Sequence, residues 1–414
     1  MNITIEKGNA YGEISAPPSK SYGHRMLICA ALTQGESVIE GISGSEDMLA
    51  TIDCIRALGC TVSKGKEKGD YIIKGYSRST DFPIYDCRES GSTLRFFVPI
   101  ALACTGGGIF KGSTRLIERG IGIYEEIFGS RGIIIKKSPD EIIIKGHLKS
   151  GYYKVRGDVS SQFISGLLFA LPLLEEESII EITGPSVSRS YIDITLAVLR
   201  SFGIDIRENP NNIFQIPGGQ SYKPQRTRPE GDWSNAAFFI AISMLQDKIK
   251  HEMGKNGGLT VTGLLPDSIQ GDRICVRYFE KLQKGCKDAI DISDCPDLGP
   301  ILFAFAAACS GASFTGIDRL RIKESDRASA MKDILSKFGI ESVINGNDME
   351  ILPGTLTRPK EPIYGYNDHR IVMSAAVLMT LTGGTIEGAE AVAKSYPSFF
   401  EDLGAVGIDI KKTP

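Results

Sequence analysis

The sequence has few of the residues that build metal and redox centres. Its 414 residues include four histidines and nine cysteines, and no two cysteines are spaced as a CxxC pair. Zinc sites and disulfide frameworks depend on regular spacings of these residues, so neither is expected. The odd number of cysteines and the chain length favour a reducing, cytoplasmic setting. The opening MNITIEKGNAYG has no apolar segment of the kind found in a signal peptide.

Long apolar runs and an excess of one charge are also missing. The longest apolar stretches, such as ILFAFAAAC at 301–309, are too short to span a bilayer. The 47 basic and 50 acidic residues leave a formal net charge of −3, which gives no global reason to bind nucleic acid or membrane. A chain of this length is expected to form two or more domains, and any anion site must be built locally.

The sequence does contain a repeat of about 70 residues. Six stretches open with small, polar or charged residues and continue as an apolar helix, and they start at residues 19, 90, 160, 232, 296 and 367. Because little charge follows their first turns, these helices are expected to be buried on most sides.

A second series of six amphipathic helices interleaves with the first. Each ends at a glycine followed by Ile or Cys, which is a helix C-cap signal; the glycines are 59, 132, 203, 285, 339 and 407. Alternating Ile and Val around Pro-Asp or Asn-Gly turns, as at 132–146 and 339–354, predict hairpins. The unit is therefore helix, strand, helix and hairpin. An ordinary α/β sheet with an accidental period would leave this interleaving unexplained.

Two segments are predicted to cross between domains. The first, at 15–20, is short and proline-rich, and the second, at 218–233, is rich in Gly, Pro and Arg. If both cross at one hinge, residues 19–226 form a central domain of repeats one to three. Residues 1–16 and 231–414 then form a discontinuous domain of repeats four to six plus the N-terminal strand. Such a pair of connections permits closure around a ligand.

The polar openings of the buried helices carry most of the unusual residues. Unpaired N–H groups and the helix dipole make such an end attractive to phosphate or carboxylate. Each residue alone is explained equally well as a cap or a solvated base. Together with Arg119, predicted in a loop, and Lys394, before the last helix, they favour a pair of small polyanionic ligands. The residues at the openings are Lys20, Ser21, Arg25, Gly91, Ser92, Arg95, Ser160, Ser161, Gln162 and Arg370.

Acidic residues accompany these cations. Asp297, predicted in the first turn of the fifth buried helix, could compensate the helix dipole or act as a general base in a cleft. Glu324 lies in the charged stretch RLRIKESDR at 319–327 and could pair with its neighbours along a helix. Asp368 is a plausible cap for the last buried helix.

These motifs resemble those of the 5-enolpyruvylshikimate-3-phosphate synthases, in the same order and over essentially the whole chain. RIKESDR together with NDHR is quite specific to that family among its relatives. The resemblance implies an α/β fold of two domains, a two-domain inside-out α/β barrel of six βαβαββ-type repeats with buried helices, three per domain. The segments that carry it are PPSKSYGHRMLICAAL, SGSTLR, SSQFISGLL, SRSYIDIT, EGDWSNAAFF, RIKESDR, YNDHRIVM and AKSYPSFF.

The resemblance also implies a reaction of the shikimate pathway to chorismate and the aromatic amino acids. Phosphoenolpyruvate would transfer its carboxyvinyl group to the 5-hydroxyl of shikimate 3-phosphate and release phosphate, by addition and elimination through a tetrahedral intermediate. No metal or organic cofactor is needed. A cytoplasmic monomer without nucleic-acid or membrane partners is expected, and glyphosate is expected to inhibit it.

Residue roles follow from the same resemblance. Asp297 is implied as the base at the 5-hydroxyl, and Glu324 and Lys20 as the acid/base groups at the vinyl carbon. The implied shikimate 3-phosphate ligands are Lys20, Ser21, Arg25, Ser160, Ser161, Gln162, Ser188, Tyr191, Asp297 and Lys323. The implied phosphoenolpyruvate ligands are Lys20, Gly91, Arg119, Gln162, Arg327, Arg370 and Lys394.

Three residues depart from the family pattern: Glu89 and Arg319 each stand where Asn is common, and Gly120 stands where Pro is usual. Three other functions fit the sequence less well. The related transferase acting on UDP-N-acetylglucosamine typically has a loop cysteine, and GSTRLIERG has none. An RNA 3′-phosphate cyclase would need an RNA-binding surface, which the charge balance does not support. A non-catalytic repeat scaffold would leave the helix-start cations unexplained.

Overall fold

The computed structural model describes residues 1–76, 82–184, 188–253 and 258–413. The chain forms two compact units. The discontinuous unit comprises Met1–Pro17 with Gly231–Pro414, and the continuous unit comprises Pro18–Glu230. Each unit has its own hydrophobic core.

Thirteen α-helices occur in the described residues, and those of the first series are almost wholly buried. The helices are α1 (Lys20–Ala31), α2 (Glu46–Ala57), α3 (Gly91–Cys104), α4 (Thr114–Arg119), α5 (Gly122–Phe128), α6 (Ser161–Ala170), α7 (Arg189–Ser201), α8 (Trp233–Met253), α9 (Cys275–Gln283), α10 (Gly299–Ala308), α11 (Arg327–Lys337), α12 (His369–Thr382) and α13 (Phe399–Ala405). None of these described helices is long and apolar enough to cross a membrane.

The strands of the same ranges are short. They are β1 (Asn2–Ile5), β2 (Gly12–Ser15), β3 (Glu36–Ile39), β4 (Thr61–Lys64), β5 (Tyr71–Lys74), β6 (Ile84–Asp86), β7 (Gly107–Lys111), β8 (Ile134–Lys137), β9 (Glu141–Lys145), β10 (Tyr152–Arg156), β11 (Ser178–Thr183), β12 (Arg207–Asn209), β13 (Ile213–Ile216), β14 (Arg226–Thr227), β15 (Leu259–Thr262), β16 (Ile290–Asp291), β17 (Ala312–Thr315), β18 (Ser342–Asn345), β19 (Asp348–Ile351), β20 (Ile363–Tyr364), β21 (Gly384–Glu387) and β22 (Ile410–Thr413).

The helix boundaries follow from their terminal residues. Four buried helices begin at a side chain that accepts a hydrogen bond from a backbone N–H of the first turn, and these caps are Ser19, Ser90, Ser160 and Asp368. The six glycines predicted to terminate the amphipathic helices all adopt φ between 74° and 103°, a conformation that glycine reaches without a Cβ penalty.

Five sheets have four strands each, and all five share the same strand arrangement. Their orders are β14-β3-β5-β4, β6-β7-β9-β8, β10-β11-β13-β12, β16-β17-β19-β18 and β20-β21-β1-β22. In each sheet the first pair is parallel and the other two are antiparallel. Alternate residues of the longer strands are buried against the helices. This arrangement confirms the α/β class and the inside-out repeats.

Strands from distant parts of the sequence complete the first and last repeats. In the continuous unit β14 pairs with β3, and in the discontinuous unit β1 joins the last sheet while β2 pairs with β15. The fourth repeat is abbreviated: within the described ranges its sheet has only β2 and β15. The cause is its length, because Ile290 of the next sheet follows Gly285 too closely for a hairpin.

Candidate active site

In the continuous unit, the first turns of α1 hold two buried or half-buried cations. Lys20 Nζ lies 2.9 Å from Asp47 Oδ2 on α2. Arg25 donates from Nε to Thr195 Oγ1 (2.7 Å) and from Nη1 to the carbonyl of Ser21 (2.8 Å). Burial lowers the pKa of Arg25 to about 10, so the guanidinium stays charged at neutral pH. The helix start therefore presents fixed positive charge.

Arg25 also ties α1 to α7. Its Nη2 donates to the carbonyl of Tyr191 at 3.0 Å, and the Tyr191 N–H bonds to the carbonyl of Ser188 at 3.1 Å. Ser188 is buried and has φ 57°, a left-handed conformation that is uncommon for a residue other than glycine. Such backbone strain occurs most often at functional sites, and the role implied for Ser188 stays a prediction.

The starts of α3 and α6 meet through one glutamine. Gln162 accepts from Arg95 Nη1 at 2.6 Å and donates from Nε2 to Ser92 Oγ at 2.9 Å. A Cβ placed on Gly91 would lie 3.0 Å from Arg95 Nη1 and 3.2 Å from Arg119 Nη2. The backbone at Gly91 is therefore closely approached by two guanidinium groups.

Two serines stand at the first turn of α6. Ser160 caps the helix by accepting from the Gln162 N–H at 3.3 Å, and Ser161 is buried at the first helical position. Both therefore lie beside the amide of Gln162.

The prediction that Arg119 lies in a loop was wrong. Arg119 ends the short helix α4, which forms because Ser113 caps it by accepting from the Leu116 N–H. The next residue, Gly120, has φ 57°, which proline cannot adopt because its ring holds φ near −65°. The departure from the usual Pro is therefore built into the local backbone.

In the discontinuous unit, Arg327 is the centre of a buried charge network. Its guanidinium donates to Asp297 Oδ1 (2.8 Å), Glu324 Oε2 (2.7 Å) and Asp368 Oδ2 (2.8 Å). Burial disfavours the charge, but the three carboxylates outweigh it and raise the pKa of Arg327 above its ordinary value. The same interaction overcomes burial at Asp368 and lowers the pKa of that carboxyl.

Asp297 receives two more cations. Lys323 Nζ lies 3.1 Å from Oδ1, and Arg370 Nη2 lies 3.5 Å from Oδ2 while its Nη1 donates to the Asp297 carbonyl at 2.9 Å. Burial lowers the pKa of Lys323 to about 8, and Asp297 opposes the effect. Three cationic side chains therefore surround the Asp297 carboxylate.

Asp297 lies slightly earlier than predicted. It occupies the 3₁₀ turn Pro296–Leu298, and α10 begins only at Gly299. The reason is Pro300, whose missing N–H suits the first turn of an α-helix. Arg319, one of the departures from the family pattern, donates to the carbonyl of Ser293 at 3.3 Å.

One further candidate, Lys394, and one supporting residue, Ser325, border the start of α12. Lys394 Nζ donates to the carbonyl of Asn367 at 2.6 Å, beside the cap residue Asp368. The side chain of Ser325 donates to Asp368 Oδ2 at 3.0 Å. One network thus joins five of the predicted residues: Asp297, Lys323, Glu324, Arg327 and Arg370. Lys394 lies next to Asp368, the cap of α12.

No sequence pattern predicted that Asp47, Arg95 and Asp368 pair with side chains of other elements. Asp47 appears in the sequence as an acid in the first turn of a helix, where dipole compensation explains it. Asp368 appears as a cap, which it is, but it also binds Arg327. No local pattern shows that these carboxylates also hold cations from other helices. No group of His, Cys, Asp and Glu in the described ranges is placed to hold a metal ion.

Comparison with known proteins gives one consistent result. The profile of the family described as EPSP synthase (3-phosphoshikimate 1-carboxyvinyltransferase) matches residues 5–403. A 3-phosphoshikimate 1-carboxyvinyltransferase of Clostridium kluyveri is 41% identical over 429 residues, covering 99% of this chain and 98% of that protein. A Clostridium botulinum protein of the same description is 39% identical, with coverage of 97% and 96%. A solved EPSP synthase structure from Acinetobacter baumannii superimposes with a TM-score of 0.76 at 24% identity, covering 99% of this chain and 100% of that one.

Proposed function

The chain belongs to the EPSP synthase family and has the 3-phosphoshikimate 1-carboxyvinyltransferase activity of the shikimate pathway; from this premise we propose what each side chain does. The family binds phosphoenolpyruvate and shikimate 3-phosphate. Both substrates carry a phosphate and a carboxylate, so binding them requires several cations and polarised N–H groups.

Shikimate 3-phosphate binds to the continuous unit through cations and hydroxyl groups at three helix starts. Arg25 supports this role, because three of its five N–H groups are used by the protein and two remain. Asp297 and Lys323 are proposed as further ligands of the same substrate. The ligands from the continuous unit are Lys20, Ser21, Arg25, Ser160, Ser161, Gln162, Ser188 and Tyr191.

Phosphoenolpyruvate binds through backbone and guanidinium groups. The close approach of two guanidinium groups to Gly91 supports a phosphate site there, and planar guanidinium groups match the geometry of carboxylate and phosphate. The residues are Lys20, Gly91, Arg119, Gln162, Arg327, Arg370 and Lys394.

The chemistry is addition followed by elimination. The oxygen of the 5-hydroxyl bonds to C2 of phosphoenolpyruvate while Asp297 takes the proton of that hydroxyl. Glu324 with Lys20 delivers a proton to C3. The tetrahedral intermediate then loses a proton from its C3 methyl group to the same groups as the bond between C2 and the phosphate oxygen breaks, and the proton held by Asp297 passes to the released phosphate or to solvent. The observation that carries this assignment is the pairing of the Asp297 carboxylate with Lys323, Arg327 and Arg370.

The test is phosphate release from phosphoenolpyruvate by the purified protein. Shikimate 3-phosphate is supplied in one reaction and UDP-N-acetylglucosamine in another, with a metal chelator in both. Release only with shikimate 3-phosphate supports the proposal. Release only with the nucleotide sugar would assign the protein to the other acceptor, and loss of release on chelation would contradict the metal-free chemistry. Light scattering on the same sample checks the expected monomer.

A further inference from the structure

A buried chain of polar side chains runs from α1 through α2 to α3 in the continuous unit. His24 Nδ1 lies 2.7 Å from Thr51 Oγ1, and Thr51 Oγ1 lies 2.8 Å from Thr93 Oγ1. Thr93 Oγ1 donates to Ser90 Oγ at 2.8 Å. None of these four side chains is more than 2% exposed. We call this series of hydrogen bonds the relay.

The direction of the relay follows from counting hydrogens. The Thr93 hydroxyl has one hydrogen and gives it to Ser90, so the hydrogen between Thr51 and Thr93 must come from Thr51. Thr51 then has none left for His24, and the bond between them must use a hydrogen on Nδ1. His24 is therefore the Nδ1–H tautomer, and its Nε2 is a bare acceptor without a hydrogen-bond partner. Burial lowers the pKa of His24 well below its ordinary value, which keeps the ring neutral.

Both ends of the relay lie at helix starts that bear proposed ligands. His24 is one helical turn from Lys20 on α1, and Ser90 caps α3 immediately before Gly91. Thr51, the second residue of the relay, lies on α2 one turn after Asp47, so the two share a helix face. Asp47 holds Lys20 at 2.9 Å, and so α2 fastens α1 twice.

Helix α2 also holds the segment before Gly91. Asp53 accepts from Arg88 Nη2 at 2.7 Å, and Glu46 pairs with the same guanidinium. One helix thus contacts both Lys20 and the turn that leads to Gly91, while carrying no proposed ligand of its own.

We propose that His24 is a positioning residue that, through Thr51 and Thr93, fixes the Gly91 amide relative to Lys20 for phosphoenolpyruvate binding. The inference rests on the proposed phosphoenolpyruvate site. Polar groups placed inside an apolar core cost stability unless they are fully paired, and the relay leaves Nε2 unpaired. Apolar side chains at these positions would be enough to stabilise the fold. A directional chain of hydrogen bonds also fixes the distance between two helix starts.

The test compares matched variants of the full-length enzyme. Asn places its amide nitrogen near the position of Nδ1 and keeps the donor to Thr51, whereas Gln reaches the position of Nε2 and loses it. His24→Gln and Thr51→Val should raise the KM for phosphoenolpyruvate about tenfold, the effect of one lost hydrogen bond, with a smaller change in kcat. His24→Asn should restore most of the wild-type KM.

Thr33→Val is the stability control, because Thr33 is equally buried and bonds only to main-chain carbonyls at the end of α1. If Thr51→Val lowers the melting temperature as Thr33→Val does and leaves the KM unchanged, the relay is structural and the proposal is wrong. Lys20→Met separates the premise from the inference. An unchanged KM in Lys20→Met would overturn the binding site and the relay together, whereas an unchanged KM in Thr51→Val alone would overturn only the relay.

A second measurement needs no variant. Two-bond ¹⁵N–¹H correlations of the wild-type protein labelled at histidine distinguish the two neutral tautomers. A neutral His24 with its hydrogen on Nδ1 supports the relay. A hydrogen on Nε2, or a charged ring at neutral pH, would contradict the order of hydrogen-bond donors and acceptors from which the proposal is derived.

Discussion

Arg327 Nη1 donates to Asp297 Oδ1 at 2.8 Å from a guanidinium that is 1% exposed. The same guanidinium binds Glu324 and Asp368. The proposed base at the 5-hydroxyl and one proposed acid/base at the vinyl carbon are therefore linked by a single buried cation. A change at Arg327 should affect both groups.

Removal of that cation should destabilise the discontinuous unit. Arg327→Met leaves buried Asp368 without its main counter-charge, and breaking a buried ion pair costs about 3–5 kcal/mol of unfolding free energy. Arg327→Lys keeps the charge but not the planar fork, so its loss should be intermediate. Urea denaturation followed by circular dichroism measures both. The control is Arg56→Met, which removes an exposed pair with Asp53 and should cost under about 1 kcal/mol. Equal small losses in all three variants would contradict the central place of Arg327.

Asp297→Asn tests the base. The amide keeps the shape and an acceptor for Arg327, so the protein should still fold, but it cannot take the hydroxyl proton. The value of kcat should fall by about 10²–10⁴, the usual contribution of a general base, while the KM for phosphoenolpyruvate changes less. Steady-state phosphate release measures both, with Asp348→Asn, a change of an exposed residue on β19, as the control. A kcat close to that of the control would exclude Asp297 as the base.

Much of the fold could be predicted because its signals are local. Serine and aspartate caps and glycine terminators act within one turn, so residues such as Ser90 and Gly339 marked helix ends correctly. Arg119 was misplaced because the six-residue helix α4 is shorter than any apolar period can show. The fourth repeat is abbreviated because few residues separate Gly285 from the next sheet. Helix-cap signals mark the end of a helix and do not show how short the following segment is.

The residue types of the candidate site could be predicted from the sequence, but the side chains with which they pair could not. The cations at the helix starts stand out because an apolar helix has no need of them. Their partners do not: Asp47 holds Lys20 from 27 residues away, and Thr51 lies 42 residues from Thr93. Such pairs follow from the packing of α1, α2 and α3, and nothing in the spacing of a single sequence shows them.

The lowered pKa of Lys323 predicts a pH dependence. Because burial brings this pKa to about 8, the ammonium loses its charge earlier than an ordinary lysine, whose pKa is about 10.4. The anionic substrate needs the charged form, so kcat/KM for shikimate 3-phosphate should decline as the pH rises through 8. The neighbouring charges at Asp297, Glu324, Arg319 and Arg327 are the other influences on this titration.

Lys323→Arg provides the decisive comparison for that profile. Arginine stays protonated at every pH of the assay, so the alkaline decline should disappear even if the absolute rate is lower. Lys332→Arg changes an exposed lysine on α11 and should keep the wild-type profile. A decline that persists unchanged in Lys323→Arg would show that another group titrates.

Gly91 is predicted to control access to phosphoenolpyruvate and to glyphosate, which the family resemblance implies as its competitor. In Gly91→Ala the new Cβ would lie 3.0 Å from Arg95 Nη1 and 3.2 Å from Arg119 Nη2, so both guanidinium groups must shift. Overpacking of this kind costs about 1–3 kcal/mol, which corresponds to a rise of about 5-fold to 150-fold in the KM for phosphoenolpyruvate. The inhibition constant for glyphosate should rise further, because the longer molecule tolerates less loss of space.

The matched control is Gly44→Ala, since a Cβ on Gly44 would meet nothing within 4 Å. Initial rates at several concentrations of phosphoenolpyruvate and glyphosate give both constants for the two variants and the wild type. Wild-type turnover that is unchanged in excess glyphosate would refute the expected competition. Equal constants in Gly91→Ala and Gly44→Ala would show that Arg95 and Arg119 do not line the phosphoenolpyruvate site, because in that case their displacement has no consequence for binding.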